Sequence, residues 1–390
     1  MRLSYEYRKV ICYLIAHDMV ATMNKIKGIL VSTLLLLSLL TIIAPVSAGT
    51  IHVYPGDDLE SKINSASSGD TVYIHAGTYA VDDLIVIQDK SLTLIGDGDR
   101  NTIIVRSPIP PLPPYWVFEF IANGIPVTID ISKIYFNAPS GTSSFIFYGN
   151  NPMNVNIDNC RFNNSAIDLG SNPSNLIIAT IQNCEFEKGE GVYLDNGERQ
   201  ITIKNCLFYD CMEYAIIARN KFQLTVQSCT IDKSINDDGI HVEGGIDASL
   251  TVKDSIITNN PGNGIYNDGT VNVTSIYNNV WNNGTNYSGV TPGIGSISKD
   301  PHYTTGRLGN YYLSFLSPSV DKGSTLAAIL GLADRTTRID EKWDTLTIDM
   351  GYHYPSNRGP GTSLPIDFII KLLKGNRCKN HPDAEGCNIP

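Results

Sequence analysis

The hexapeptides ISKIYF (131–136), IDNCRF (157–162), IQNCEF (181–186), IKNCLF (203–208), VQSCTI (226–231) and VKDSII (252–257) are six copies of one pattern, and IYNNVW (276–281) reads as a looser seventh. Their starts lie 22 to 26 residues apart. A period in the twenties built from short β-branched runs is the mark of a solenoid. A flat strand alternates in and out with period 2. In IDNCRF the apolar residues are Ile157, Cys160 and Phe162, so alternation breaks between Ile157 and Cys160. One extra residue, Asn159, must turn the chain there while its neighbours keep facing inward. Asn tolerates the left-handed conformation better than most residues, and Asn183 and Asn205 recur in that slot.

A second strand lies between successive hexapeptides: AIDLG from Ala166, GVYLD from Gly191, AIIAR from Ala215, GIHVE from Gly239 and GIYND from Gly264. No helical period of the length that a βαβ crossover needs separates these runs. Parallel strands without helices imply an all-β chain, a parallel β-helix, with short helices capping its two ends. At the N-terminal end Asp57 or Asp58 caps a short helix with Leu59, Ile63 and Ala66 on one face. Such a helix covers strand edges that an open coil leaves unpaired. At the C-terminal end PIDFIIKLLKG (365–375) has one apolar face and is too short to span a bilayer.

The 390 residues carry a net charge of −10, which disfavours nucleic acid as a partner. Met23 to Ala48 reads as a signal peptide: Lys25 and Lys27, an apolar run from Ile29 to Ile43, and small residues at Val46-Ser47-Ala48 before Gly49. An uncleaved N-terminal anchor is the alternative. Removal of 1–48 takes five basic and two acidic residues and shifts the net charge from −10 to −13. The expected organisation is a leader over 1–48, a β-helix over 49–355 and a tail over 356–390. The expected location is secreted or cell-surface, with the membrane involved only through the signal peptide. Nothing in the sequence fixes the oligomeric state.

Four of the eight cysteines, Cys160, Cys184, Cys206 and Cys229, occupy one hexapeptide slot. They read as a column of buried thiols, with disulfides between coils as the alternative. Cys378 and Cys387 flank a short tail loop and form a candidate disulfide pair. Asn163, Asn272, Asn283 and Asn286 begin glycosylation sequons placed on predicted turns. Asp97 and Asp99 sit in a Gly/Asp turn, a better explanation for them than calcium. No cofactor motif is present, no metal site is read, and calcium has no ligand set to specify it.

In the second strands Ile167, Val192, Ile216, Ile240 and Ile265 point inward. One outward column then reads Asp168, Tyr193, Ile217, His241, Tyr266, and the next Gly170, Asp195, Arg219, Glu243, Asp268. Carboxylates, an Arg, a His and aromatic rings along successive coils suit a polysaccharide, which is polar at its edges and apolar on its ring faces. A polar, solvated sheet face with no ligand is the plain alternative.

The chain resembles secreted right-handed parallel β-helix proteins of the pectin-lyase-like superfamily. The resemblance rests on GDTVYIHAGTY (69–79), on the NC-x-F hexapeptides, and on the series DPHY (300–303), SPSVDKG (317–323) and DMGYHY (349–354). It implies the fold and an extracellular setting, and leaves activity open, because that superfamily holds lyases, hydrolases and non-catalytic surface proteins. Its enzymes carry their active sites on this same strand. Asp237-Asp238-Gly239-Ile240 resembles the paired-Asp strand of polygalacturonases, which makes Asp237, Asp238 and Glu243 the catalytic candidates. Asp168, Tyr193, Asp195, Arg219, His241, Tyr266 and Asp268 are then the substrate-binding candidates. The chain departs from that pattern: Glu213-Tyr214 stands where those hydrolases have another Asp motif, and their Gly-His-Gly and downstream Arg-x-Lys elements are missing. The expected role is an exported envelope protein engaging polysaccharide or a glycoconjugate. A polysaccharide lyase or glycoside hydrolase is the alternative, and a purely structural surface component the third reading.

Overall fold

The computed structural model describes residues 48–106, 116–138, 143–170, 175–245 and 247–356. The left-handed bend expected at Asn159 is present at φ 56°, and it recurs in every copy: Lys133, Asn183, Asn205, Ser228, Asp254 and Tyr277 all have φ between 49° and 59°. Five residues further on a second left-handed bend repeats at Asn164, Lys188, Asp210, Lys233, Asn259 and Asn282. The hexapeptide pattern gives no sign of this second corner, because half its occupants are Lys or Asp. From Asn159 to Asn282 both bends are present in each coil, and with the return to the first sheet they divide it into three sides. One coil runs Met153–Asp158, Arg161–Asn163 and Ile167–Asp168 before Leu176–Gln182 opens the next.

The strands stack into three parallel sheets. The first runs from Thr50–Val53 to Asn272–Ile276, the second from Gly77–Val81 to Asn279–Trp281, and the third from Ile85–Gln88 to Thr285–Ser288. Ile131, Ile157, Ile181, Ile203, Val226 and Val252 pair in one unbroken column, so the register of the sequence copies is the register of the first sheet. The seventh copy corrects the sequence reading by one residue: Val252 pairs with Ser275, not Ile276. Tyr277 takes the bend, Asn278 the cysteine slot and Val280 the inward slot. Ile276 has the side chain of its predecessors, but the backbone puts the small polar Ser275 inside in their place.

Equal register stacks like on like. Phe136, Phe162, Phe186 and Phe208 form a column of parallel rings 5.3, 4.7 and 4.5 Å apart, each pair worth about 1 kcal/mol beyond its burial. At the first corner Asn205 Nδ2 donates to Asn183 Oδ1 at 2.9 Å, and Asn183 Nδ2 to Asp158 Oδ1 at 2.7 Å. These ladder bonds offset the roughly 1–2 kcal/mol that a left-handed L-residue costs. Cys160, Cys184, Cys206 and Cys229 are buried free thiols, each donating to a carbonyl of the preceding coil. Burial pushes Cys160 and Cys206 well above the ordinary thiol range.

The N-terminal helix is Leu59–Ser65, capped by Asp58, whose side chain accepts from Ser61 N at 3.2 Å. In the first coil it stands where later coils have strands of the second and third sheets. Its buried Leu59 and Ile63 join the core beneath the end strands Thr50–Val53 and Gly77–Val81. Coiling ends at Ser288. Residues 303–354 then return along the outside of the second sheet: Tyr311 donates to Asp232, Tyr352 N to Thr230, His353 N to Asn205 and Gly351 N to Asp254. The signal-peptide run, the helix at 365–375 and the Cys378–Cys387 pair lie outside the described residues. Among the described residues no helix is long and apolar enough to cross a membrane. Asn163 is not on a turn: it ends a strand and donates to Asn137 in the second corner's ladder. Asn272 and Asn286 likewise lie in strands.

Ile240 is fully buried in the core column, between Ile216 and Ile265. Replacing it with Asp strands a charge there, at a cost of several kcal/mol. Ile240→Asp is expected to abolish the cooperative thermal transition, whereas Asp at its exposed neighbour Gly245 should leave the melting curve within a few degrees of wild type.

Candidate functional site

The third sheet carries the candidate residues, and its register is the one read from the sequence. Ile167, Val192, Ile216, Ile240 and Ile265 pair inward, and Asp168, Tyr193, Ile217, His241 and Tyr266 pair outward, one per coil. Neighbouring coils are about 4.8 Å apart, so side chains of adjacent coils touch.

His241 is the centre of this face. Its Nδ1 lies 2.7 Å from Asp238 Oδ2 and its Nε2 2.9 Å from Glu243 Oε1. Asp238 is fixed by Asn263, whose backbone N and side-chain Nδ2 donate to Oδ1 at 2.5 and 2.8 Å. On the other side Glu243 Oε2 accepts from Arg219 Nε at 3.3 Å. Arg219 reaches Tyr193 Oη at 3.3 Å and lies over its ring, 5.9 Å from the centroid. Tyr193 donates to Asp195 at 2.9 Å, and Asn220 donates to the other oxygen of Asp195. One hydrogen-bonded chain thus runs from Asn263 to Asn220 through six of the residues singled out from sequence: Asp238, His241, Glu243, Arg219, Tyr193 and Asp195.

The aromatic rings form a second feature. His241 stacks on Tyr266 at 4.4 Å and 18°, and Tyr214 packs against its other side at 4.7 Å and 53°. Tyr193 and Tyr266 are both half-buried, and Ile217, buried in the same column, separates Tyr193 from His241. The two tyrosines are therefore separate contact points. Asp237 is outside the chain of hydrogen bonds and interacts with Tyr214, whose phenol rises to about 12, mainly through burial. Asp268 is exposed and accepts from Thr270. Asp168 accepts from Gly170 N at 2.7 Å. Tyr214, Asn220 and Asn263 belong to the site although the sequence reading did not choose them. Tyr214 stands just before Ile216–Gln227, Asn220 is a left-handed residue (φ 67°) within it and Asn263 opens Asn263–Asn267, so their slots follow from the coil's path and not from the alternation pattern.

Burial works to lower the His241 pKa, but its bonds to Asp238 and Glu243 outweigh burial and raise it. Asp238 is held below the ordinary carboxylate range: burial opposes this, while His241 and Asn263 bring it about. The His241 bond likewise lowers Glu243. A carboxylate on each ring nitrogen favours the imidazolium form of His241, which organises the face and leaves neither nitrogen free to act as a base. Asp168 is the contrast. Burial raises it to about 6, only partly relieved by Gly170 N.

Residues 127–301 match a family model described as a right handed beta helix region. The fold is that of a right-handed parallel β-helix repeat protein. No curated protein matches the chain. Among solved structures, a pectate lyase, Pel9A, aligns at 11% identity and a TM-score of 0.42, over 80% of this chain and 98% of its own. A PL6 family alginate lyase aligns at 17% and 0.36, over 65% of this chain and 39% of its own. A Geobacillus virus E2 protein, ORF18, aligns at 18% and 0.35, over 60% and 52%. The β-helix protein thus spans about two fifths of the alginate lyase and about half of the viral protein. At these identities and TM-scores no residue role passes across.

Two pH dependences follow. A raised His pKa contributes stability in full below its ordinary value near 6.5, and that contribution is lost as pH rises through the native value. The depressed Asp238 and Glu243 contribute above the ordinary carboxylate range and lose it on acidification. In an NMR titration His241 should therefore show a midpoint above 6.5, and Glu243→Gln should bring it down. Asp168 has the opposite sign: a raised carboxyl pKa destabilises the native state as pH rises from about 4 towards 6. Asp168→Asn should raise the melting temperature at pH 8, with the difference from wild type shrinking towards pH 4.

Proposed function

We propose that this chain is an exported envelope protein that binds polysaccharide along the outward face of its third sheet. The observation that carries the reading is the row Tyr193, Arg219, Glu243, His241 and Tyr266, held in line over successive coils by its own hydrogen bonds and ring contacts. Side chains fixed in this way lose little rotamer freedom on binding, which favours recognition of a long ligand by many modest contacts. Half-buried tyrosines offer ring edges and hydroxyls, and the Arg219–Glu243 pair offers donors and acceptors to sugar hydroxyls. The Met23–Ala48 leader supports export. The chain's acidity favours a neutral or basic glycan over a polyuronate.

The second reading is a polysaccharide lyase or glycoside hydrolase, and Asp168 is what favours it. A carboxyl raised to about 6 beside a sugar-binding face is suited to general-acid chemistry. Asp238 and Glu243, depressed and tied to His241, are suited to holding the face together.

A glycan array and a turnover assay on the same panel test both readings. Turnover is scored by reducing-end release and by the absorbance of unsaturated uronates. Binding without turnover, weakened about tenfold or more by Tyr266→Ala or Arg219→Ala, is the expected result. Turnover that disappears in Asp168→Asn would make the protein an enzyme. Silence in both assays would leave a structural envelope component.

A further inference from the structure

A different cluster occupies the N-terminal end of the first sheet. His52 lies on Thr50–Val53, the end strand of that sheet, and His75 directly follows the neighbouring strand Thr71–Ile74. His52 Nδ1 and His75 Nε2 are 3.0 Å apart. The other nitrogen of His75, Nδ1, faces Asp97 Oδ2 at 3.5 Å. Asp97 is itself fixed, accepting from Tyr73 Oη at 2.5 Å and from Ala76 N at 2.7 Å. The rings are held by packing: Tyr54 stacks on His75 at 4.3 Å and 6°, and Tyr73 lies 4.9 Å from the same ring. Both histidines reach solvent, His75 less than His52.

We infer that His52 Nδ1 and His75 Nε2 form a two-nitrogen site for a divalent transition-metal ion, zinc being the simplest case. Four features of the geometry support it. Two nitrogen ligands at about 2.0–2.1 Å on a tetrahedral ion are about 3.3 Å apart, so the pair needs to open by only a few tenths of an ångström. Ring nitrogens that bind metal have their other N–H directed at a carboxylate, the place Asp97 takes for His75. That arrangement keeps the His75 proton on Nδ1 and leaves a lone pair on Nε2. The proton now shared between the two rings sits on His52 Nδ1; moving it to His52 Nε2, at the surface, frees the second lone pair without changing the charge. Water completes the coordination.

Imidazole ligands select zinc, copper or nickel over calcium and magnesium. Among the described residues Thr50–Val53 is the end strand of the first sheet and pairs only with Thr71–Ile74, and the ion would add a second tie between the two. Protons compete for the same nitrogens. The charged and titratable groups near the pair are Asp97, Tyr73, Tyr54, which stacks on His75, Tyr79, whose hydroxyl donates to His75 O, Lys62, which donates to His52 O, and Asp57, which pairs with Lys62.

The test is a ZnCl2 titration of the full chain, followed by melting temperature and by histidine ring NMR. The expected result at pH 7.5 is a saturable rise in melting temperature, with the His52 and His75 resonances shifting together. His52→Ala and His75→Ala should each weaken that transition at least tenfold. Asp97→Asn should weaken it by about ten- to a hundredfold, as loss of a carboxylate behind a ligand does. CaCl2 should give no such transition, and the zinc effect should fade by pH 5.5. All three side chains reach solvent, so metal-free melting curves show directly whether each variant folds. The site is refuted if zinc produces no saturable shift, or if the shift is the same in wild type and both alanine variants.

Discussion

Two left-handed bends per coil, repeated at equal spacing, set the shape of everything else in this protein. A left-handed L-residue is unfavourable by itself, and here it recurs in one slot through seven coils. The bends stack one above another, and where Asn occupies them its side chain passes a hydrogen bond from coil to coil. That stacking removes freedom of register. Loops between corners vary in length, and the strands still stack residue on residue. The columns of Ile, Cys and Phe are consequences of this constraint.

The same constraint builds the outward face of the third sheet. Stacking at about 4.8 Å brings every outward side chain against the same slot in the coils above and below. Where those slots hold opposite charges, they neutralise one another, as Arg219, Glu243, His241 and Asp238 do. Where burial outweighs what a backbone N–H and a nearby cation restore, as at Asp168 with Gly170 N and Arg199, the ionised carboxylate is disfavoured. A face of this kind is rigid and preorganised because its polar groups satisfy one another before any ligand arrives.

The C-terminal segment, residues 303–354, gives the second sheet a different fate. Its tyrosines pack with Leu207, and its backbone is bonded to Asn205, Thr230 and Asp254. A sheet face that is polar in the sequence is thereby turned into an interior. The buried pair His353 and Asp344, 2.8 Å apart, belongs to this interior and not to the third sheet's outward face.

The sequence alone determined the architecture, the inward residues of two strands per coil and the column order of the third sheet. All of these depend on local alternation and on a bend residue that repeats, and a repeating pattern carries its own register. The cysteines were legible as a buried column for the same reason. The second corner was hidden because Lys and Asp serve there as well as Asn. The seventh copy slipped by one because Ile276 resembles its predecessors while Ser275 fills their place. Only the tertiary structure decided which outward residues act together. Asp238, His241 and Glu243 lie within six residues of one another, but Arg219, Tyr193 and Asp195 come from other coils, and loop lengths that no pattern encodes bring them into contact. It also decided that the second sheet is covered, because that depends on where a segment some 100 residues away folds back, a choice made by surface complementarity and not by any local preference.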